Sequence, residues 1–251
     1  LNIGLDSIVF FDDDPVNREF MKQSLPKVLT MDVPNDPALY ASVIFGMSDF
    51  NVLNITSEDK KRGEMYLQQR KRIELEKSVT NLDDFLNNLK IKIEIKDVDK
   101  FTIPRIAQLT LKTNQFNLTT CRYQEQEIER MVQEKNTIIK AIQVEDKFGD
   151  SGITGMFIIK KDKIVWTIDT FLLSCRIMSR KIENEMMTHI INEAKKEKIE
   201  LIIAHYIPTQ KNKPCEMFLL NYGFEKNKSN DWIFEVEKIK NLSSHVKVEI
   251  K

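Results

Sequence analysis

The sequence predicts an α/β protein, and three observations carry that prediction. A continuous apolar run, Ser7-Ile8-Val9-Phe10-Phe11, breaks off at Asp12-Asp13-Asp14-Pro15 and leads into a helical stretch over 17–24. A buried parallel strand followed by a helix reads this way. Residues 90–96 alternate Lys-Ile-Lys-Ile-Glu-Ile-Lys, the period of a half-buried strand. From Tyr123 onward, strand-length runs over 138–146, 153–159 and 164–173 precede an amphipathic helix over 181–197, a strand over 201–204, a helix over 214–221 and a strand over 232–236. That series makes an α/β unit of roughly 120 residues, an ordinary domain size.

The other elements follow from local chemistry. Pro26 stops the first helix, and residues 28–31 form a second short strand. Two short parallel strands need covered faces and paired edges, so either further chain upstream of Leu1 or a separate packing partner is expected, the first being favoured. Residues 36–45 form a helix with Pro37 in its first turn. Residues 57–78 begin Ser-Glu-Asp-Lys and carry i,i+4 pairs Glu58/Arg62, Lys60/Glu64, Arg70/Glu74 and Arg72/Glu76, the pattern of a mostly solvated helix. Residues 82–89 form a short helix capped by Asn81 with Leu82, Phe85, Leu86 and Leu89 on one face. Helices are also expected over 103–112, with Pro104 near the start, and over 124–133. Lys161-Asp162-Lys163 is a hairpin turn. Ile182, Met186, Ile190, Ile191 and Ala194 mark the buried face of the long helix, and Gly223 suits a helix end. Residues 243–251 read as a short polar tail that frays. The expected division is 1–120, 121–240 and a tail over 241–251.

Composition excludes several classes. Thirty-eight basic residues balance thirty-eight acidic ones, so no global field draws the chain to nucleic acid or an anionic membrane. Cys121, Cys175 and Cys215 are widely spaced and odd in number. They fit neither a disulfide framework nor a CxxC zinc site, and point to a reducing, cytoplasmic setting. No apolar run approaches the roughly 20 residues of a membrane span, so a soluble protein is expected.

Three stretches carry a family resemblance: Val9-Phe10-Phe11-Asp12-Asp13-Asp14-Pro15-Val16-Asn17-Arg18-Glu19; Arg105 to Thr120, containing Leu111-Lys112-Thr113-Asn114-Gln115-Phe116-Asn117-Leu118-Thr119-Thr120; and Ile168-Asp169-Thr170-Phe171-Leu172-Leu173-Ser174-Cys175-Arg176. Together they resemble the FkbH-like family of the haloacid-dehalogenase superfamily, subfamily IIIC. The resemblance implies a partial haloacid-dehalogenase-like (Rossmann-like) segment followed by a GNAT-like acyltransferase domain. It implies a role in polyketide-type biosynthetic clusters, where members load a glyceryl unit from a phosphorylated three-carbon donor onto an acyl carrier protein, with loss of phosphate. The implied cofactors are Mg2+ in the complete phosphatase-like domain and phosphopantetheine or coenzyme A. The family's nucleophilic Asp, second Asp, Ser/Thr and Lys belong upstream of Leu1, so no phosphatase activity is expected of this chain alone. Its last acidic motif is matched by Asp12 and Asp13.

Each candidate site has a bland alternative. Asp12 and Asp13 end a strand, where carboxylates suit magnesium; they also suit a turn that starts a helix at Asp14-Pro15. Asn114, Gln115, Asn117 and Thr119 can hold a polar substrate or clamp the chain by hydrogen bonds. In the resemblance, Arg176 opens an Arg-x-x-Gly-x-Gly/Ala phosphate turn, but Ser179 and Lys181 replace its small residues. Arg176, Arg180 and Lys181 would then hold a phosphate by charge, with Ser179 among the binding residues, and a carrier's phosphopantetheine, with one phosphodiester, suits that looser cradle. Lys211 and Asn212 follow the next strand as further ligand contacts, whereas Phe218, Tyr222 and Phe224 read as core. Cys175 is either a thioester-forming nucleophile or a buried small residue. His205 is either an acid/base group or structural, and His189 and His245 form no ligand pair with it. Two functions follow: an acyl-transferring enzyme, or a non-catalytic GNAT-like module that binds a carrier protein or partner domain.

Overall fold

The computed structural model describes residues 4–50, 62–227, 231–238 and 246–250. The chain forms two units, residues 1–66 and 67–251.

The first unit contains β1 (Val9–Phe10), α1 (Pro15–Ser24), β2 (Leu29–Thr30), a 3-10 turn over Pro37–Leu39, and α2 (Tyr40–Phe45). β1 and β2 pair in parallel, Val9 with Leu29 and Phe10 with Thr30, across the α1 connection. The Asp14 carboxylate accepts the Val16 N–H at 2.8 Å, and Pro15 takes the first helical position where an N–H is not needed. Asp36 caps the 3-10 turn in the same way. Phe11 and Tyr40 meet edge to face, with centroids 5.2 Å apart. Among described residues 4–50 only Val28 is buried, while Val16, Phe20 and Phe45 are exposed.

The division between units falls inside α3 (Arg62–Ser78). The expected pairs Glu58/Arg62 and Lys60/Glu64 lie outside the described residues or side chains. Arg70 and Glu74 pair at 3.2 Å on the exposed face. The expectation of a solvated Arg72 facing Glu76 is corrected: Arg72 is 5% exposed and donates two hydrogen bonds to Asp146, at 2.7 and 2.9 Å. A bidentate carboxylate in a dry setting holds a guanidinium better than a screened surface partner.

The second unit continues with α4 (Leu82–Leu89), β3 (Lys92–Asp97), α5 (Ile103–Lys112), α6 (Glu125–Gln133), β4 (Thr137–Asp146), β5 (Gly149–Asp162), β6 (Val165–Leu173), α7 (Ile182–Lys196), β7 (Leu201–Ala204), α8 (Lys213–Tyr222), β8 (Glu225–Lys226), β9 (Trp232–Glu235) and β10 (Lys247–Ile250). The strands form one mixed sheet in the order β10-β3-β4-β5-β6-β7-β9-β8. β10 with β3 and β6 with β7 are parallel, and the other pairings are antiparallel.

Period-two alternation sorts side chains onto two cores. Phe157 and Ile159 join Phe85 and Leu86 of α4, Met186 and Ile190 of α7, and Leu219 of α8. Ile158 faces the other way, with Ile106 of α5 and Ile128 of α6. The α7 positions expected inside, Ile182, Met186, Ile190, Ile191 and Ala194, are all buried. Gly223, at φ 109°, closes α8 as its N–H donates to the carbonyls of Leu219 and Leu220. The fraying tail is a further correction. Residues 247–250 form β10, anchored where Lys247 N–H donates to Ile91 O at 3.0 Å and where Val246 and Val248 pack on the core. Among the described residues no helix is long and apolar enough to cross a membrane.

Candidate functional site

Strand β6 changes partner part-way along. It runs parallel to β7 only from Val165↔Leu201 to Ile168↔Ala204. At the same level its register with β5 slips from Ile159↔Ile168 to Ile158↔Thr170, which leaves Asp169 as an extra residue. Such a bulge re-aims a side chain. The Asp169 carboxylate accepts from the Tyr123 hydroxyl at 2.7 Å and from Thr170 Oγ1 at 2.9 Å, and Thr119 Oγ1 donates to the Asp169 carbonyl at 2.9 Å. Burial, reinforced by the bond to Asp169, pushes the Tyr123 phenol far above its ordinary value, so it serves as a hydrogen-bond donor.

Beyond this level the segment 116–118 lies between β6 and the chain that follows β7. Leu118 N–H donates to Phe171 O at 3.2 Å, Leu173 N–H to Phe116 O at 3.0 Å, and Ile207 N–H to Leu118 O at 3.0 Å. Asn212, fully buried, fastens the two sides: its Nδ2 donates to Asn117 O at 3.0 Å and Ile207 O at 2.9 Å, while its Oδ1 accepts Thr209 N–H at 2.7 Å. Asn117, also fully buried, donates to Thr113 O and accepts Thr120 N–H. Asn117, Thr119 and Asn212 therefore spend their polar atoms on the chain itself. Asn114 and Gln115 are exposed, with Asn114 accepting from Arg122.

β6 runs on into the corner where the sequence places its phosphate turn. Ser174 N–H donates to Thr154 O at 2.7 Å, and a 3-10 turn follows over Cys175–Ile177, anchored by the fully buried Ile177. Cys175 is a free, exposed thiol. Ser179 and Lys181 adopt left-handed backbone, at φ 66° and 58°, where glycine would be unstrained. Arg180 turns inward, 5% exposed, and donates to Asp146 at 3.2 Å and to Arg176 O at 2.8 Å. Burial, with the Arg72 charge beside it, lowers its pKa to about 10, against the pull of Asp146. It stays protonated at neutral pH. Lys181 Nζ donates to Asp83 at 3.0 Å.

These residues do not fit the pyrophosphate of coenzyme A. Two of the expected cations, Arg180 and Lys181, hold the chain's own carboxylates. In the first turn of α7, Asn184 N–H donates to Lys181 O at 3.2 Å, and Glu183 Oε2 is buried with no partner among the described residues, burial pushing the carboxyl pKa up.

The remaining candidates lie apart. His205 Nδ1 is 2.9 Å from Asp231 Oδ1, with its ring half exposed, and among the described residues no hydrogen bond joins it to Cys175. Lys211 is exposed. In the first unit, Asp12 Oδ1 accepts Asp14 N–H at 2.8 Å, and Arg18 donates to the carbonyls of both Asp12 and Asp13. No group of three His, Cys, Asp or Glu able to hold a metal gathers among the described residues. Asp12 and Asp13 supply two carboxylates, the number a protein commonly gives Mg2+, whose other oxygens come from water and substrate. A half-open cavity of about 680 Å³ between α7 and β4–β6, lined by Phe157, Trp166, His189 and Lys196, contains none of these candidates.

Sequence reasoning missed Tyr123, Asp146, Asp169 and Glu183. A signal existed for Asp169, a charge set inside an apolar strand run. Asp146 finds its partners Arg72 and Arg180 far along the chain, and no local pattern marks it.

No family model and no curated protein matches the chain. Solved structures do. The ribosomal-protein-S18-alanine N-acetyltransferase of Escherichia coli is 10% identical, at a TM-score of 0.45, over 61% of this chain and 99% of its own. A GNAT-family acetyltransferase of Staphylococcus aureus Mu50 is 13% identical, at 0.45, over 57% and 99%. The PaiA N-acetyltransferase of Thermoplasma acidophilum, solved with coenzyme A, is 17% identical, at 0.41, over 57% and 96%. Superposition at this level fixes neither activity nor ligand, so the chemistry rests on the residues described above.

Proposed function

We propose that residues 67–251 form an acyl-handling unit that passes a short, glyceryl-type acyl group between Cys175 and the phosphopantetheine thiol of an acyl carrier protein. The observation that carries the reading is Cys175, a free thiol exposed at the end of β6. The resemblance of 105–120 and 168–176 to FkbH-like sequences supports the same chemistry. In the transfer, the carrier thiolate attacks the carbonyl of an acyl-Cys175 thioester. A new C–S bond forms, the Cys175 C–S bond breaks, and the Cys175 sulfur leaves as thiolate and takes up the proton the carrier thiol released. Ser174, held by Thr154, and buried Ile177 fix the turn that presents the sulfur, which keeps the nucleophile in place without reorganisation. The phosphorylated three-carbon donor and Mg2+ belong to the wider family reaction, and no step here runs through the metal.

The test is intact-mass spectrometry of the protein mixed with a glyceryl-loaded, phosphopantetheinylated carrier. A glyceryl adduct on the wild-type chain that disappears in Cys175→Ala supports the reading. An equal adduct in Cys175→Ala, or none on the wild type, overturns it. One observation favours the second reading, a non-catalytic module: Arg180 and Lys181 are committed to Asp146 and Asp83. Carrier binding with no change of mass is its signature.

A further inference from the structure

The corner between β6 and α7 carries an acid where an anion site needs a vacancy. Glu183 is the second residue of α7, a helix of 15 residues. The start of a helix attracts anions through free N–H groups and the positive end of the dipole. Here Glu183 Oε2 is buried with no partner among the described residues, and Asn184 N–H is spent on Lys181 O. Glu185 adds a second acid in the same turn. On the cation side, Arg180 is locked to Asp146 and Lys181 reaches Asp83. A pyrophosphate arriving here would have to displace a carboxylate, draw two cations from existing partners, and lie on residues with left-handed backbone but no glycine.

We infer that Glu183 bars coenzyme A from this corner, so that the unit's thioester ligand is a carrier-bound phosphopantetheine arm, which has no pyrophosphate. The inference rests on the acyl-handling reading and narrows its substrate class. A pantetheine arm needs nothing from the start of α7: its single phosphodiester stays with the carrier, and its thiol meets Cys175 at the exposed turn. Glu183 acts as a specificity residue by exclusion, rejecting one ligand by placing its own charge and volume where that ligand's phosphates would sit.

The test compares coenzyme A with pantetheine by calorimetric titration of the wild type, Glu183→Ala and Glu183→Gln, with thermal melts confirming that each variant folds. The wild type is expected to bind coenzyme A no more tightly than pantetheine. In Glu183→Ala the preference for coenzyme A should rise by about tenfold or more, the gain expected from clearing an acidic side chain from the start of the helix. A wild type that already prefers coenzyme A by about tenfold overturns the inference, as does an unchanged preference in both variants or a failure of both to bind coenzyme A. The adduct on Cys175 is read separately with the loaded carrier. Loss of the adduct with the ligand preference shifted as expected sinks the acyl-handling reading and leaves the role of Glu183 standing.

Discussion

Asp146 shows how one side chain decides whether a buried cluster stabilises. Its carboxylate, with no exposed side-chain surface, takes two bonds from Arg72 and one from Arg180. Removing it strands two guanidinium groups away from water, so Asp146→Ala should cost about 3–5 kcal/mol, read as a lower urea midpoint at unchanged slope. Removing one member of the exposed Arg70–Glu74 pair should cost less than about 1 kcal/mol in the same assay. His189 gives a second prediction at this scale. Burial holds its pKa below 6.5, with Lys140 and Lys196 adding to the effect and Glu193 opposing it. As pH falls through 6.5, the unfolded chain takes up a proton at His189 that the folded chain refuses. Stability is therefore full above that pH and declines below it, down to the folded pKa. His189→Leu should flatten this part of the urea-midpoint profile between about pH 7.5 and about pH 5.5; an unchanged slope refutes the assignment.

The inserted segment 116–118 makes the case for elements. Asn212 ties it to the chain beyond β7, its Nδ2 serving the carbonyls of Asn117 and Ile207 at once, while Phe116 packs edge to face on Phe218 with centroids 5.6 Å apart. Asn212→Ala leaves the carbonyl of buried Asn117 without that donor and should cost about 1–3 kcal/mol. It should also speed amide exchange at Leu118 and Ile207, whose hydrogen bonds frame the insertion; loss of stability without local exchange would mean that the segment is held by other contacts. How much of this was legible in the sequence depends on the distance over which each pattern works. β3 was readable because burial on one face writes alternation into consecutive residues, Ile93 and Ile95 in, Lys92 and Glu94 out. α7 was readable because its buried face repeats every turn. The insertion at 116–118 was not, since its partners Phe171 and Ile207 lie in other elements and any polar loop offers the same side chains. β10 did carry a local signal, the alternation Val246-Lys247-Val248-Glu249-Ile250, but the run is short, and only the edge of β3 gives it a partner. Among the site residues, Cys175 is exposed rather than the buried small residue that a free cysteine at a strand end commonly is, and the inward turn of Arg180 followed from Asp146, which no nearby residue announces.

Across the whole chain, burial is distributed unevenly, and that has a measurable consequence. The second unit has apolar side chains packed on both faces of an eight-stranded sheet, with Phe157, Trp166, Ile168 and Phe171 all essentially inaccessible. In the first unit, among described residues 4–50, Val28 alone is buried, and its sheet is a single pair of two-residue strands. Protection of an amide follows the free energy of the opening that exposes it, and that energy comes from buried apolar surface and shielded hydrogen bonds. Amides of α1, β2 and α2 should therefore exchange at the earliest times. Those of β4, β5 and β6 should open only with global unfolding, slower by about a thousandfold or more, which corresponds to about 4 kcal/mol of difference in opening free energy. Hydrogen–deuterium exchange read by mass spectrometry on peptides from 9–45 and 139–172 makes the comparison within one sample. Equal protection in the two sets would require apolar burial around α1 and α2 that Phe20 and Phe45, at 69% and 88% exposed, do not have.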